Sequence, residues 1–165
     1  MAQIDSSVGG KVAINYQGYK NMIGSFYQPL LVYINISVLK TLPEREFKCG
    51  LAEAVVHALI ADASLLQYMH EYVKDVDTLK QCKIEEFIYR NCKIKAEIVE
   101  KDEKDKGIRK ILNFGHTVGH AIEGLYGYEY KHGECVAIGI VAAFKLSVYF
   151  KLISEEKLCY IKAVL

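Results

Sequence analysis

The stretch Leu112-Asn113-Phe114-Gly115-His116-Thr117-Val118-Gly119-His120-Ala121-Ile122-Glu123 carries two histidines four residues apart. Residues at this spacing share one face of a helix, so both imidazoles would point the same way. His132 follows a glycine-containing break, where a second helix could return it to the first. The pattern indicates a metal site, although histidines on apolar helices more often have a core or surface role. No glutamate follows His116 directly, so this is not a short zincin motif.

Two glycines strengthen the case for a special role of this stretch. Gly115 and Gly119 would each cost a helix about 1 kcal/mol relative to alanine. Such a cost predicts a close approach of the backbone to another helix or to a ligand.

Length and composition describe a globular chain. It has 165 residues, 52% of them hydrophobic, which is enough for one domain with a real core. The net charge of +1 gives no argument for nucleic acid or an anionic membrane, and we expect neither as a partner. Five scattered cysteines without a CxxC pair favour reduced thiols in a cytosolic protein. The N-terminus does not resemble a signal peptide, and the apolar run 135–144 is too short to span a bilayer.

The fold class predicted is mainly α, a helical metal-binding domain with a short β segment at its N-terminus. Residues 1–42 form a β-containing junction, with a strand at 11–15 and a buried strand at 30–36. Residues 43–165 are predicted to be helical, and Pro43, Glu44 and Glu46 suit a helix start. The predicted helices lie near 44–60, 63–74, 79–102, 110–125, 133–151 and 155–163.

Several motifs together resemble the 3-dehydroquinate synthase family. They occur in the family's order with compatible spacing, from Asp5 to about residue 154. The motifs are Asp5-Ser6-Ser7-Val8-Gly9-Gly10-Lys11, Gly18-Tyr19-Lys20-Asn21-Met22-Ile23-Gly24, Phe26-Tyr27-Gln28-Pro29, Thr41-Leu42-Pro43-Glu44-Arg45-Glu46, Gly50-Leu51-Ala52-Glu53, Lys95-Ala96-Glu97, the histidine stretch and His132-Gly133-Glu134.

The resemblance implies an enzyme that converts a seven-carbon phosphorylated sugar acid into 3-dehydroquinate with NAD and a divalent metal, usually zinc. It also implies a cytoplasmic, homodimeric enzyme. No strand is followed by G-x-G-x-x-G and no P-loop is present. We therefore expect that the family's N-terminal dinucleotide-binding domain is missing, and that a lysine-containing segment lies beyond Leu165. On this view the chain is a single catalytic-domain fragment that does not turn over substrate alone.

The resemblance also implies roles for individual residues. The metal ligands would be Glu53, His116 and His132. One carboxylate, two imidazoles and open positions are typical of a catalytic zinc site, which could also accept cobalt.

Further residues are implied around the substrate. Lys11, Asn21 and His120 would bind its phosphate, and Lys95, Arg109 and Asn113 its carboxylate. Asp5 would bind a hydroxyl. On sequence alone, Lys95 and Arg109 would more simply be solvated charges.

The residues implied at the nicotinamide cofactor form one group on the N-terminal side. They are Lys20, Val38, Leu39, Lys40, Thr41 and Glu46, with Lys11 as a further contact.

One departure from the family pattern bears on activity. Val56 stands where family members usually have lysine, three residues after the metal-binding glutamate. His57 is adjacent but points about 100° further round a helix, so we expect no direct substitution. Two alternatives remain open: a related sugar-phosphate cyclase, or a non-catalytic metal-binding helical domain.

Overall fold

The computed structural model describes residues 1–17, 19–72, 84–126 and 129–165, without the side chains of Tyr19 and Lys20. It is mainly helical with a two-stranded antiparallel sheet near the N-terminus, as predicted. The strands are β1 (Lys11–Tyr16) and β2 (Tyr19–Phe26), and the α-helices are α1 (Glu44–Ala61), α2 (Ala63–Tyr72), α3 (Ile84–Lys101), α4 (His116–Leu125), α5 (His132–Tyr149) and α6 (Glu155–Val164). Two 3₁₀ helices lie at Ile36–Thr41 and Ile108–Asn113.

The predicted helices agree with the observed ones, with one exception. The expected helix at 110–125 is divided into a 3₁₀ helix and α4. Gly115 separates them with a left-handed backbone at φ 78°, a conformation that glycine adopts without strain. The expected positions 73–74 and 79–83 lie outside the described residues.

The prediction of a buried strand at residues 30–36 is wrong. These residues form no strand, and Leu30 and Leu31 are 106% and 81% exposed. A strand needs a neighbour for its backbone groups, and no described segment pairs with this one. In contrast, the strand expected at 11–15 is present as β1, where Lys11 pairs with Phe26 and Ile14 with Ile23.

The core is built from buried residues of α1, α2, α3 and α5, and α5 packs against both α1 and α4. Helix α1 contributes a continuous buried run that includes Ala54, Val55 and Val56. Helix α5 contributes Val136 and Ile140, both fully buried. By length and composition alone α5 could also cross a membrane, with a mean hydropathy of 1.3. In this structure 28% of that helix is buried, where it packs against α1 and α4.

Glycines allow these helices to approach closely. A Cβ at Gly119 would lie 3.0 Å from the Cys135 carbonyl oxygen, and one at Gly139 would overlap the Gly115 carbonyl. A Cβ at Gly133 would collide with the Cys49 backbone. The close approach predicted for Gly115 and Gly119 is therefore an approach to another helix. It brings the first turns of α4 and α5 to the middle of α1.

Candidate active site

Three helices place one carboxylate and two imidazoles together. Glu53 lies in the buried run of α1, while His116 and His132 are the first residues of α4 and α5. Glu53 Oε1 is 3.1 Å from His132 Nε2 and 3.6 Å from His116 Nε2. The two imidazole ring centres are 5.3 Å apart. These are the three residues expected to bind the metal.

Glu53 Oε1 is buried without an aligned hydrogen-bond donor among the described residues. A buried carboxylate oxygen without such a donor is costly, and it faces two nitrogens that are common metal ligands. The donor set therefore fits a divalent metal with open coordination positions.

The charges of this cluster are strongly coupled. Burial raises the pKa of Glu53, but contact with His116 and His132 outweighs burial and holds that pKa well below its usual range. Burial lowers the pKa of His116, yet Glu53 raises it above the ordinary value overall. Contact with Glu53 also raises the pKa of His132. A metal ion would thus compete with protons for the two imidazoles.

His120 offers a second possible ligand set. Its ring centre lies 5.3 Å from that of His116 and 5.7 Å from that of His132. One nitrogen from each of the three histidines lies within 4.8 Å of the others. Geometry alone therefore permits either Glu53 or His120 beside His116 and His132. His120 is the exposed member of this group, whereas Glu53 is buried.

A cavity of about 470 Å³ opens beside this cluster. All seven residues expected to act on substrate line it, together with the three expected metal ligands. The lining consists of Met1, Asp5, Lys11, Asn15, Asn21, Glu53, Lys95, Arg109, Leu112, Asn113, His116, His120 and His132.

Lys95 and Asp5 form an ion pair inside this cavity. Lys95 is buried on α3, and its Nζ donates to Asp5 Oδ1 at 2.6 Å and to the Asp5 carbonyl. Burial lowers the pKa of nearby His57 despite the charge of Asp5, whose Oδ1 is 4.0 Å from His57 Nε2. The other nitrogen of His57 contacts Asn91 Oδ1 at 3.0 Å. Because Lys95 is buried and bound to Asp5, it is not a solvated surface charge.

Arg109 is also buried, on the 3₁₀ helix before α4. Its Nη1 and Nη2 donate to the carbonyls of Glu103 and Gly9, at 2.5 Å and 2.7 Å. Its Nε is buried without a partner among the described residues. The guanidinium is thus fixed by two backbone carbonyls.

The three residues expected at the phosphate lie on separate elements. Lys11 opens β1 and forms an ion pair with Asp105 at 2.5 Å. Asn21 lies on β2 with a left-handed backbone at φ 54°, and its N–H donates to Asn15 Oδ1. His120 lies one turn into α4. The ion pair between Lys11 and Asp105 would therefore have to break before Lys11 could bind a phosphate.

The segment expected at the nicotinamide lies apart from the polar cavity. Val38, Leu39 and Glu46 line a second, mostly apolar cavity of about 300 Å³. Glu46 also forms an ion pair with Lys131 at 2.9 Å. Lys40 and Thr41 complete the 3₁₀ helix but line neither cavity. The Lys20 side chain lies outside the described residues.

Two acidic or basic side chains near the cluster were missed by sequence reasoning. Glu123 is buried on α4, and its Oε1 lies 3.3 Å from His132 Nδ1. Its position three residues after His120 would have revealed it as a member of the same helix face. His57 is the second: its Nε2 lies 4.0 Å from Asp5 Oδ1. The helical angle between Val56 and His57 gave no indication of this contact.

Val56 does not line the cavity. It is 0% exposed within the core. The departure from the family's lysine is therefore accommodated by apolar packing.

Family models match the entire chain. Residues 50–165 match the model described as "3-dehydroquinate synthase C-terminal", and residues 1–49 match "3-dehydroquinate synthase N-terminal". A 3-dehydroquinate synthase of Acetivibrio thermocellus is 50% identical over 165 residues, which are 100% of this chain and 46% of that protein. One of Ruminiclostridium cellulolyticum is 44% identical with the same coverage. The chain spans about half the length of the curated relatives it matches.

Solved structures of related synthases share the fold. A 2-epi-5-epi-valiolone synthase from Streptomyces hygroscopicus subsp. jinggangensis, with NAD+ and Zn2+ bound, matches with a TM-score of 0.89 and 25% identity. It is covered over 46% of its length and 99% of this chain. A 2-deoxy-scyllo-inosose synthase complexed with carbaglucose-6-phosphate, NAD+ and Co2+ matches with a TM-score of 0.90 and 28% identity, over 99% of this chain and 45% of that one.

Proposed function

The chain belongs to the 3-dehydroquinate synthase family, and we propose that it is the metal-binding half of a 3-dehydroquinate synthase. The reaction is the conversion of 3-deoxy-arabino-heptulosonate 7-phosphate to 3-dehydroquinate and phosphate, in the shikimate pathway to aromatic amino acids. One observation carries the proposal: ten residues that the family pattern selects line one cavity, although they come from elements spread along the chain.

In this proposal Glu53, His116 and His132 hold one divalent ion, with zinc expected and cobalt acceptable. The set fits because Glu53 Oε1 is buried, without an aligned donor and next to both imidazoles. Bound metal would acidify a substrate hydroxyl, and bound NAD would accept hydride from the carbon that carries this hydroxyl. NAD binding is supported by the two synthases whose structures carry it.

The charged residues of the chain then bind and orient substrate. Lys11, Asn21 and His120 would surround the phosphate, since a cation and hydrogen-bond donors match a dianion. Lys11 gives up Asp105 when phosphate enters.

At the other side of the cavity, Arg109 and the Asn113 amide would bind the carboxylate. Lys95 supports this side as a fixed positive charge, held by Asp5. Asp5 keeps a carboxylate oxygen near the hydroxyls. Holding the substrate in one orientation is a large part of what such a site contributes.

The proposal extends to cofactor and partners. The nicotinamide would contact this chain at Val38, Leu39, Lys40, Thr41 and Glu46, with Lys20 as a further expected contact. The partners are the dinucleotide-binding domain of longer relatives and a second copy of the enzyme, in the cytoplasm. The chain alone does not turn over substrate, because positioning of NAD needs that domain.

A second candidate is another sugar-phosphate cyclase activity. The two solved neighbours favour it, because both are cyclases with other names and the same fold. Their identity to this chain is 25–28%, whereas the 3-dehydroquinate synthases reach 50%. The higher identity supports the first candidate.

Phosphate release tests the proposal. A chimera would join the N-terminal portion of the Acetivibrio thermocellus relative to this whole chain, with NAD and zinc supplied. We expect turnover on the order of 10 per second, lost in Glu53→Gln and retained in His70→Gln, which changes an exposed histidine on α2. A folded, zinc-loaded chimera that releases no phosphate from this substrate would contradict the proposal. Release from only another cyclase's substrate would favour the second candidate.

A further inference from the structure

Two histidines of the proposed metal site each meet an oxygen atom on the side of the ring away from Glu53. The Nε2 atoms of His116 and His132 lie 3.6 Å and 3.1 Å from Glu53 Oε1. The Nδ1 atom of His116 lies 3.2 Å from the Phe114 carbonyl oxygen. The Nδ1 atom of His132 lies 3.3 Å from Glu123 Oε1. Each imidazole therefore has an acceptor at Nδ1 and presents Nε2 toward Glu53.

The position of Glu123 follows from the packing of α4 against α5. These helices touch where a Cβ at Gly119 would lie 3.0 Å from the Cys135 carbonyl oxygen, and their close contacts show that they run in opposite directions. Glu123 lies one turn after Gly119 on the same face of α4. His132 lies about one turn before Cys135 on α5. The antiparallel arrangement therefore brings the Glu123 carboxylate to the His132 ring.

Packing alone does not account for a carboxylate at this position. Glu123 is 3% exposed, and a buried carboxylate is costly unless polar or charged groups pair with it. An apolar side chain of similar size would fill the space between α4 and α5 without that cost. A carboxylate is, however, a common partner for the outer nitrogen of a metal-binding histidine. In that place it fixes both the tautomer and the orientation of the ring.

We propose that Glu123 is a positioning residue for the metal centre. It accepts a hydrogen bond from His132 Nδ1–H, so that the lone pair of Nε2 points at the ion. The Phe114 carbonyl has the same function for His116. The inference rests on the metal centre of the proposed function. Of the two acceptors, Glu123 is the one that a substitution can remove.

Zinc affinity of variants of the whole chain, measured by competition with a chromophoric chelator, tests this inference. Glu123→Leu removes the acceptor and should weaken zinc binding by about 10–100-fold. Glu123→Gln keeps an oxygen acceptor of the same reach and should bind zinc at least about fivefold more tightly than Glu123→Leu. The matched control is Glu129→Gln, which removes an exposed carboxylate three residues before His132. It should keep the wild-type affinity.

Two further measurements separate positioning from a structural role. Urea denaturation of the metal-free chains should show Glu123→Leu to be at least as stable as wild type, because a buried carboxylate has been removed. Nitrogen-15 NMR of the zinc-loaded chains reports the two ring nitrogens of His132, with its signals assigned by their absence in His132→Ala. We expect zinc on Nε2 and a proton on Nδ1 in wild type and Glu123→Gln. In Glu123→Leu the signal of that proton should be lost to exchange with water.

Four results would overturn the inference. They are wild-type zinc affinity in Glu123→Leu, equal weakening in Glu123→Leu and Glu123→Gln, a Glu123→Leu chain that does not fold, and zinc bound to Nδ1 of His132. The last result would make Glu123 a metal ligand instead.

Phosphate release by the chimera is measured separately. A zinc-loaded but inactive chimera contradicts the proposed function only, and an active chimera in which Glu123→Leu binds zinc normally contradicts this inference only. A wild-type chain that binds no zinc would contradict both.

Discussion

Replacing Gly115 by alanine tests how the fold positions the metal cluster. Gly115 has φ 78°, a left-handed conformation that costs an L-residue about 1–2 kcal/mol. The added Cβ would lie 2.9 Å from the Ile140 backbone nitrogen. Ordinary contact begins at 3.4 Å, so α4 and α5 would have to separate locally by about 0.5 Å. Overpacking of this kind costs about 1–3 kcal/mol. We therefore expect Gly115→Ala to lower the free energy of unfolding by about 2–5 kcal/mol.

The same substitution should weaken metal binding, because His116 follows directly. Metal–ligand distances in protein sites hold to within about 0.2 Å, which is less than the expected displacement. We expect zinc affinity to fall at least about tenfold, as it does when supporting groups of a metal site are lost.

Urea denaturation of the metal-free chain and zinc titration of the folded chain provide the two measurements. Gly124→Ala is the matched control, because a Cβ there meets nothing within 4 Å. It should stabilise α4 slightly, by up to about 1 kcal/mol. If Gly115→Ala unfolded with the wild-type free energy and bound zinc with wild-type affinity, close helix packing would not be what positions His116.

Three further predictions concern stability. The hydrogen bond with Arg45 holds the pKa of Glu134 down at about 2, so Glu134→Gln should cost up to about 1 kcal/mol at pH 7. That difference should shrink as pH falls from 4.5 to 2, because the unfolded chain then binds a proton at this carboxylate that the native chain does not, and thermal midpoints across this range measure it. Asn91→Leu should cost about 1–3 kcal/mol in urea denaturation, because it leaves a ring nitrogen of buried His57 without its partner. Val56→Lys should cost more than about 3 kcal/mol, since it introduces a charge at a fully buried position.

Each of these has a result that would count against it. A Glu134→Gln difference that is constant from pH 7 to pH 2 would exclude the ion pair as its source. Gln67→Leu, at an exposed hydrogen bond to Glu71 on α2, should change stability little and serves as the control for Asn91. A Val56→Lys chain with wild-type stability would mean that the cavity reaches this position.

The helical part of the fold could be predicted because its signals are local. Pro43 with Glu44 and Glu46 marked the start of α1, and the spacing of His116 and His120 is a property of one helix. The break at Gly115 could not be predicted in the same way. It depends on the backbone of α5 lying against it, which is a contact between distant residues.

The segment 30–36 was misjudged for a related physical reason. Its residues are those of a buried strand, but burial depends on a partner that no described part of the chain supplies. The pairing of Lys95 with Asp5 joins residues 90 apart in sequence, and no periodicity reports such a contact. The family pattern selected both residues without indicating that they bind each other. The contact of His57 with the same group had no sequence signal.

Zinc stoichiometry of five single variants tests the proposed metal centre most directly. The chain is loaded with zinc, dialysed and analysed for metal, with circular dichroism confirming that each variant is folded. We predict one zinc per chain for wild type, His120→Ala and the control His70→Ala, and loss of zinc in Glu53→Gln, His116→Ala and His132→Ala. Retention of zinc by Glu53→Gln together with its loss in His120→Ala would assign the ion to three histidines and contradict the account.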